Sequence, residues 1–166
     1  LHPEIEQRAD AASKRVSKSN ASVFEGTGLL EWLRAEGVDT ITLTGYMTNN
    51  CVLASAAAAE PLGFSVEVLS DATGAIPLSN AAGSASAAQV HETVMTLLNS
   101  NWAAVATTVD WISSVRAGTT LSGSNLVESA MAGRSAPRVV SAPCPGWTWA
   151  SSGNDANTLV VTSVKS

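Results

Sequence analysis

The chain has few cysteines, few basic residues and no long apolar run, and each shortage excludes a class of protein. Its 166 residues include two cysteines, Cys51 and Cys144, which are too few for a disulfide framework. Nine lysines and arginines against fourteen acidic residues give a net charge of −5, which argues against nucleic acid or an anionic membrane as the main partner. No apolar run approaches the roughly 20 residues that cross a bilayer. A reducing cytoplasm is therefore the expected location.

Histidine is scarce too, and the start of the chain carries no export signal. His2 and His91 are far apart and neither has a cysteine or histidine at metal-ligand spacing, so we predict no metal site and no cofactor. The opening residues Leu-His-Pro-Glu-Ile-Glu are acidic, unlike the basic and then apolar start of a signal peptide. The chain begins with Leu1 rather than Met, which we interpret as a sign of a longer native protein.

Short β-branched runs alternate with helical segments over the first 115 residues, and this order favours an α/β fold with a parallel sheet. From about Gly118 the pattern fades, and residues 136–166 read as a tail in which 158–164 could form an edge strand. We therefore divide the chain into a domain at 1–135 and a tail at 136–166. The predicted strands are 40–44, 64–69 and 102–106, and the predicted helices are 27–36, 51–59, 84–98 and 107–115.

Cys51 stands just past the strand at 40–44, at the start of an alanine-rich helical segment. In open parallel sheets, reactive residues gather beyond the carboxyl ends of the strands. A helix N-terminus offers unpaired N–H groups and a positive dipole end, which favour a thiolate and could hold an oxyanion. From local sequence alone, however, such a cysteine is more often a small buried hydrophobic residue.

Three segments in register resemble one known family. Residues 18–29 read Lys-Ser-Asn-Ala-Ser-Val-Phe-Glu-Gly-Thr-Gly-Leu, residues 45–52 read Gly-Tyr-Met-Thr-Asn-Asn-Cys-Val, and residues 66–73 read Val-Glu-Val-Leu-Ser-Asp-Ala-Thr. Their order and spacing are similar to those of the isochorismatase-like cysteine hydrolases, which include nicotinamidases and N-carbamoylsarcosine amidohydrolases. The resemblance covers roughly residues 1–135. It implies a three-layer α-β-α, Rossmann-like fold with helices on both faces of a parallel sheet.

The resemblance also implies an active site and a reaction. It assigns Cys51 as the nucleophile and Lys18 as its charge-stabilising partner, with a cis peptide bond between Tyr46 and Met47. The N–H groups of Met47 and Cys51 would form the oxyanion hole. The expected reaction is hydrolysis of a small amide or related C–N bond through a covalent thiol-acyl intermediate, with a small molecule as substrate. Homo-oligomers are common among such relatives, so we expect one here.

The sequence departs from the family pattern at its beginning. The family's catalytic aspartate lies on a first strand well before the lysine, and Asp10 does not fit that context. We therefore expect an N-terminally incomplete chain that is inactive or nearly so, with the first strands missing and an open edge beside residues 40–44. We interpret Asp71 as a turn or cap residue and His91 as a solvated or packing residue.

Two other functions stay open from the sequence. One is a non-catalytic or degenerate family member that acts as an interaction module. The other is hydrolysis of an enol ether such as isochorismate, which need not use a cysteine.

Overall fold

The computed structural model describes residues 3–8, 13–136 and 159–163. Asp10, Cys144 and His2 lie outside these ranges, as does most of the proposed tail at 136–166. The helices are α1 (Pro3–Arg8), α2 (Leu29–Ala35), α3 (Leu53–Ala59), α4 (Ala87–Asn101), α5 (Thr108–Ala117) and α6 (Leu126–Ser135). The strands are β1 (Thr40–Tyr46), β2 (Ser65–Gly74), β3 (Leu78–Asn80), β4 (Gly83–Ala85), β5 (Ala104–Ala106) and β6 (Leu159–Ser163).

A four-stranded sheet forms the centre of the fold, in the order β5-β2-β1-β6. Strands β1, β2 and β5 are mutually parallel, which confirms the predicted α/β architecture. Strand β6 pairs antiparallel with β1, so the sheet is mixed rather than wholly parallel. The open edge expected beside residues 40–44 is therefore wrong, because β6 supplies hydrogen-bond partners along that side of β1.

Helices cover both faces of the sheet. Ile41, Thr42 and Leu43 are consecutive in β1 and all buried, which requires cover on both sides because neighbouring strand residues point to opposite faces. On one face, Ile41 and Leu43 share a core cluster with apolar residues of α2, α3 and α4.

Helix α5 is attached to the opposite face through a polar contact. Thr42 lies beside Glu67 of β2 in the strand register. The Thr42 hydroxyl donates to the Glu67 carboxylate at 2.8 Å, and the indole N–H of Trp111 in α5 donates to the same oxygen at 2.7 Å. Trp111 thus holds α5 against the sheet, and the two faces together make the three layers that the resemblance implies.

The boundaries of several elements differ from those predicted. Strand β2 continues to Gly74 rather than ending at 69, because its pairing with β1 slips between Leu43 and Gly45 and then resumes. The helix predicted at 84–98 begins at Ala87, after the unpredicted β3–β4 hairpin. Helix α6 was not predicted, because it lies beyond Gly118, where the apolar periodicity of the sequence fades.

Candidate active site

A lysine and a cysteine 33 positions apart meet beyond the carboxyl end of β1. The ammonium Nζ of Lys18 donates to Cys51 Sγ at 3.1 Å. Its other hydrogen bonds go to the carbonyl oxygens of Asn20 at 3.0 Å and Ala21 at 3.2 Å. The three donors of the ammonium therefore have three acceptors. Cys51 is wholly buried, and a positive charge held against its sulfur stabilises negative charge there.

The loop that carries Lys18 is pinned to the helix that follows Cys51. Ser55 lies one helical turn after Cys51, and its buried hydroxyl accepts from the backbone N–H of Val23 at 3.0 Å. The Thr27 hydroxyl donates to the Val23 carbonyl at 2.6 Å. Phe24 stacks on Phe64 with ring centroids 5.8 Å apart and an interplanar angle of 13°. These contacts fix the loop at the distance that Lys18 needs to reach the sulfur.

Cys51 does not stand at the first residue of an α-helix, as the sequence suggested. It belongs to a π-helical turn, Thr48–Val52, and α3 begins after this turn at Leu53. The Met47 carbonyl accepts from the N–H of Val52 at 3.2 Å, which is the i to i+5 bond of a π-turn, and from that of Asn50 at 3.1 Å. The amides on either side of Cys51 are thus committed to the turn.

The chain enters this turn through an unusual backbone. The peptide bond between Tyr46 and Met47 is cis, at the position that the resemblance indicated. Gly45, directly before it, has a φ of 109°, a conformation that residues with a side chain rarely adopt. This backbone connects the end of β1 to the turn that carries the cysteine.

His91 has a contact that the sequence did not indicate. Its ring Nδ1 lies 3.0 Å from the hydroxyl oxygen of Thr48, a wholly buried residue of the π-turn. This contact agrees with the interpretation of His91 as a packing residue, since the side chain is partly buried, and it adds a specific hydrogen bond to that role. No periodicity relates positions 43 residues apart, so the sequence held no signal for this pair. Nearby, the buried side-chain oxygen of Asn49 has no hydrogen-bond partner within the described residues.

Asp71 lies on β2 and contacts helix α5 rather than the cysteine. Its carboxylate accepts from the backbone N–H of Thr108 at 2.7 Å and from the Thr108 hydroxyl at 2.8 Å. The hydroxyl bond, and then the backbone bond, lower the pKa of Asp71 below its usual value. Asp71 therefore satisfies an unpaired donor at the start of α5, which agrees with its interpretation as a cap residue.

Within the described ranges, no carboxylate contacts the Lys18 ammonium and no group of side chains is arranged as metal ligands. The acceptors of that ammonium are two carbonyls and a sulfur. Across residues 3–8, 13–136 and 159–163, no three His, Cys, Asp or Glu side chains come together as metal ligands would. Nor is any helix in these ranges long and apolar enough to cross a bilayer.

Comparison with known sequences finds one family. The model of the isochorismatase domain matches residues 1–110. A maleamate amidohydrolase of Pseudomonas putida is 42% identical over 59 residues, which are 36% of this chain and 28% of that protein. An uncharacterized isochorismatase family protein of Bacillus subtilis is 31% identical over 94 residues, 56% of this chain and 50% of that protein. The chain thus spans half or less of the length of these curated relatives.

Solved structures agree with this result. A crystal structure from Burkholderia xenovorans LB400, assigned to the isochorismatases, is 44% identical with a TM-score of 0.78, over 81% of this chain and 64% of that one. A cysteine hydrolase from Pseudomonas syringae pv. phaseolicola is 30% identical with a TM-score of 0.63, over 66% of this chain and 52% of that one. Sequence and structure therefore point to the same family.

Proposed function

Because the chain belongs to the isochorismatase domain family, we propose that it is a cysteine hydrolase acting on a small amide or a related C–N bond. The observation that carries this proposal is the 3.1 Å contact between Lys18 Nζ and Cys51 Sγ. A cysteine with an adjacent cation is the usual arrangement of an activated thiol nucleophile. The names of two relatives, an amidohydrolase and a cysteine hydrolase, support the same chemistry.

The proposed reaction begins when the Cys51 thiolate attacks the carbonyl carbon of the substrate. The carbonyl oxygen becomes an oxyanion, which the backbone N–H groups of Met47 and Cys51 hold. The C–N bond then breaks, the amine leaves, and the acyl group stays on sulfur as a thioester. Water attacks the thioester, releases the acid and restores the thiol. The assignment of these two N–H groups follows the family resemblance, and the neighbouring amides of Asn50 and Val52 already donate to the Met47 carbonyl.

Lys18 supplies positive charge but is a poor source for the proton that the leaving amine needs. Its ammonium is fixed by two carbonyls, so its charge stays beside the sulfur through both steps. We assign the proton transfer to a carboxylate, following the family resemblance, and the described residues bring none to the Lys18 ammonium. Amide turnover therefore depends on this carboxylate, whereas acylation by a substrate with a good leaving group does not.

This difference provides a direct experiment on the chain as it stands. p-Nitrophenyl acetate releases p-nitrophenolate without needing a proton, so we expect one acetyl group to transfer to Cys51. Intact mass measurement and peptide mapping would locate the adduct, with Cys51→Ser as the negative control and Cys144→Ser as the matched thiol control. Lys18→Ala should slow acylation about tenfold, which corresponds to about 1.4 kcal/mol.

Other outcomes would contradict the proposal. Acetylation that is unchanged in the Cys51→Ser variant would favour a non-catalytic interaction module. Equal acetylation of Cys51 and Cys144 would favour the same alternative. Amide turnover should be tested in parallel with maleamate, the substrate in the name of the curated relative. Ammonia released from maleamate at the same rate by the Cys51→Ser variant would exclude the thioester route.

A further inference from the structure

Helix α4 makes a side-chain contact with the turn that carries the proposed nucleophile. His91 lies in the second turn of α4 and is partly buried, while Thr48 opens the π-turn and is wholly buried. Their hydrogen-bonding atoms, Nδ1 and Oγ1, are 3.0 Å apart. Helix α4 packs directly against this turn. The mechanism above gives His91 no part, although it is a titratable group so near the site.

The contact is suited to fixing a position rather than to moving a proton. A threonine hydroxyl both donates and accepts, so it can bond Nδ1 whether that nitrogen carries a hydrogen or not. Thr48 has no exposed surface, so no bulk solvent reaches its hydroxyl to replace a lost partner. The bond therefore holds the first residue of the turn against α4.

We propose that His91 is a positioning residue that acts through Thr48 to keep the Cys51 sulfur in front of Lys18. This inference rests on the proposed function. The Lys18 side of the contact is fixed by Asn20, Ala21 and the Ser55–Val23 bond. The Cys51 side is fixed by the backbone of its turn, and the Thr48–His91 bond ties that turn to α4. Loosening it lets the sulfur move away from the ammonium, which slows thiol attack.

The test measures acylation of Cys51 by p-nitrophenyl acetate in a set of matched variants. Thr48→Val keeps the shape of the side chain and removes the hydroxyl, and His91→Ala removes the partner. Each should slow acylation about fivefold, the order expected for one lost hydrogen bond. The double variant should be no slower than either single one, because both act through one bond. Thr48→Ser and His91→Asn keep a hydrogen-bonding group at each position and should stay within about twofold of the unmodified chain.

A matched control separates positioning from simple stability. Thr42→Val also removes a buried hydroxyl, whose bond goes to Glu67 in the sheet. It should lower Tm as Thr48→Val does but leave acylation unchanged. If Thr48→Val does not fold, the variants of the partly buried His91 provide the test. His91→Ala should then slow acylation and His91→Asn should restore it.

The outcomes of the two proposals are distinguishable. If Lys18→Ala slows acylation but Thr48→Val and His91→Ala leave it unchanged or faster, the positioning role is wrong and the proposed function stands. If Lys18→Ala itself has no effect, the proposed function is wrong. If the acylation rate decreases with decreasing Tm across all variants, Thr42→Val included, His91 has a structural role alone. That result would overturn this inference.

Discussion

Lys18 reaches Cys51 because neighbouring groups hold both residues in place. The carbonyls of Asn20 and Ala21 accept two hydrogen bonds from the ammonium, and its third hydrogen bond goes to the sulfur. A free lysine side chain would lose considerable rotamer entropy on adopting one such position. Here the hydrogen bonds to the loop carbonyls already restrict the lysine side chain, so the charge is in place before any substrate binds.

Ser55 is the residue through which the Lys18 loop is tied to α3, and we expect Ser55→Ala to be costly. The change leaves the N–H of Val23 buried without an acceptor, which should reduce the free energy of unfolding by about 1–3 kcal/mol. Urea denaturation would measure this loss. Ser100→Ala is the control, because the Ser100 hydroxyl donates to Leu97 within its own helix and no backbone donor is orphaned. Equal losses for the two variants would contradict this account of the loop.

Asp71 should give the stability a small dependence on acid pH. Its pKa is lowered in the folded protein by the Thr108 bonds, so its contribution is present above the unfolded pKa of about 4 and is lost as the pH falls through the folded value. Asp71→Asn should therefore lower Tm by at most a few degrees at pH 7, because the group is exposed. This difference in Tm should shrink as the pH falls below about 4, and a difference that persists after the carboxyl is protonated would contradict the assignment.

At the scale of elements, the end of β1 determines where the nucleophile lies. Strand β1 is central and buried on both faces, so its carboxyl end is a rigid base for the cis peptide bond and the π-turn. In β2, the register slips opposite Leu43 and Gly45 and displaces the segment that holds Asp71. Asp71 thus meets α5, while Cys51 meets Lys18.

Strand β6 protects the edge of β1, and its removal should have a measurable effect. Deleting residues 159–166 would leave the N–H and C=O groups on one side of β1 unpaired, an arrangement that promotes aggregation. We expect faster hydrogen exchange in β1 and concentration-dependent aggregation by light scattering. A chain lacking only residues 164–166 keeps β6 and serves as the control. Unchanged exchange in β1 after the longer deletion would show that β6 does not protect this edge.

Local signals explain which elements the sequence could predict. The alternation of β-branched runs with helical segments identified β1, β2, α2, α3 and α4, which bury apolar residues at their own period, and also β5 and α5, which are only partly buried. The strands of the β3–β4 hairpin are three residues each and mostly exposed, and α6 lies beyond the point where the periodicity fades, so neither left such a signal. Within the site, the family resemblance predicted Lys18 and Cys51. The Thr48–His91 bond and the π-turn arise only when separate elements pack together.

At the scale of the whole molecule, the fold brings segments distant in sequence to one end of the sheet. The Lys18 loop, the π-turn after β1 and helix α4 all meet there, and their contacts are hydrogen bonds between residues 32 to 43 positions apart. The homo-oligomer expected from the resemblance stays a prediction, which light scattering on a sizing column would test. The substrate also stays a proposal, because the chain spans only part of the length of its relatives.

The activation of Cys51 by Lys18 can be measured as the rate at which iodoacetamide alkylates this thiol. The rate should be measured at pH 7 in the Cys144→Ser background, with Lys18→Ala and, as the matched control, Lys14→Ala, which removes an exposed lysine four positions earlier. We predict that Lys18→Ala slows alkylation about tenfold and Lys14→Ala leaves it unchanged. If the Lys18→Ala variant and the Cys144→Ser chain that keeps Lys18 are alkylated at the same rate, Lys18 does not activate Cys51.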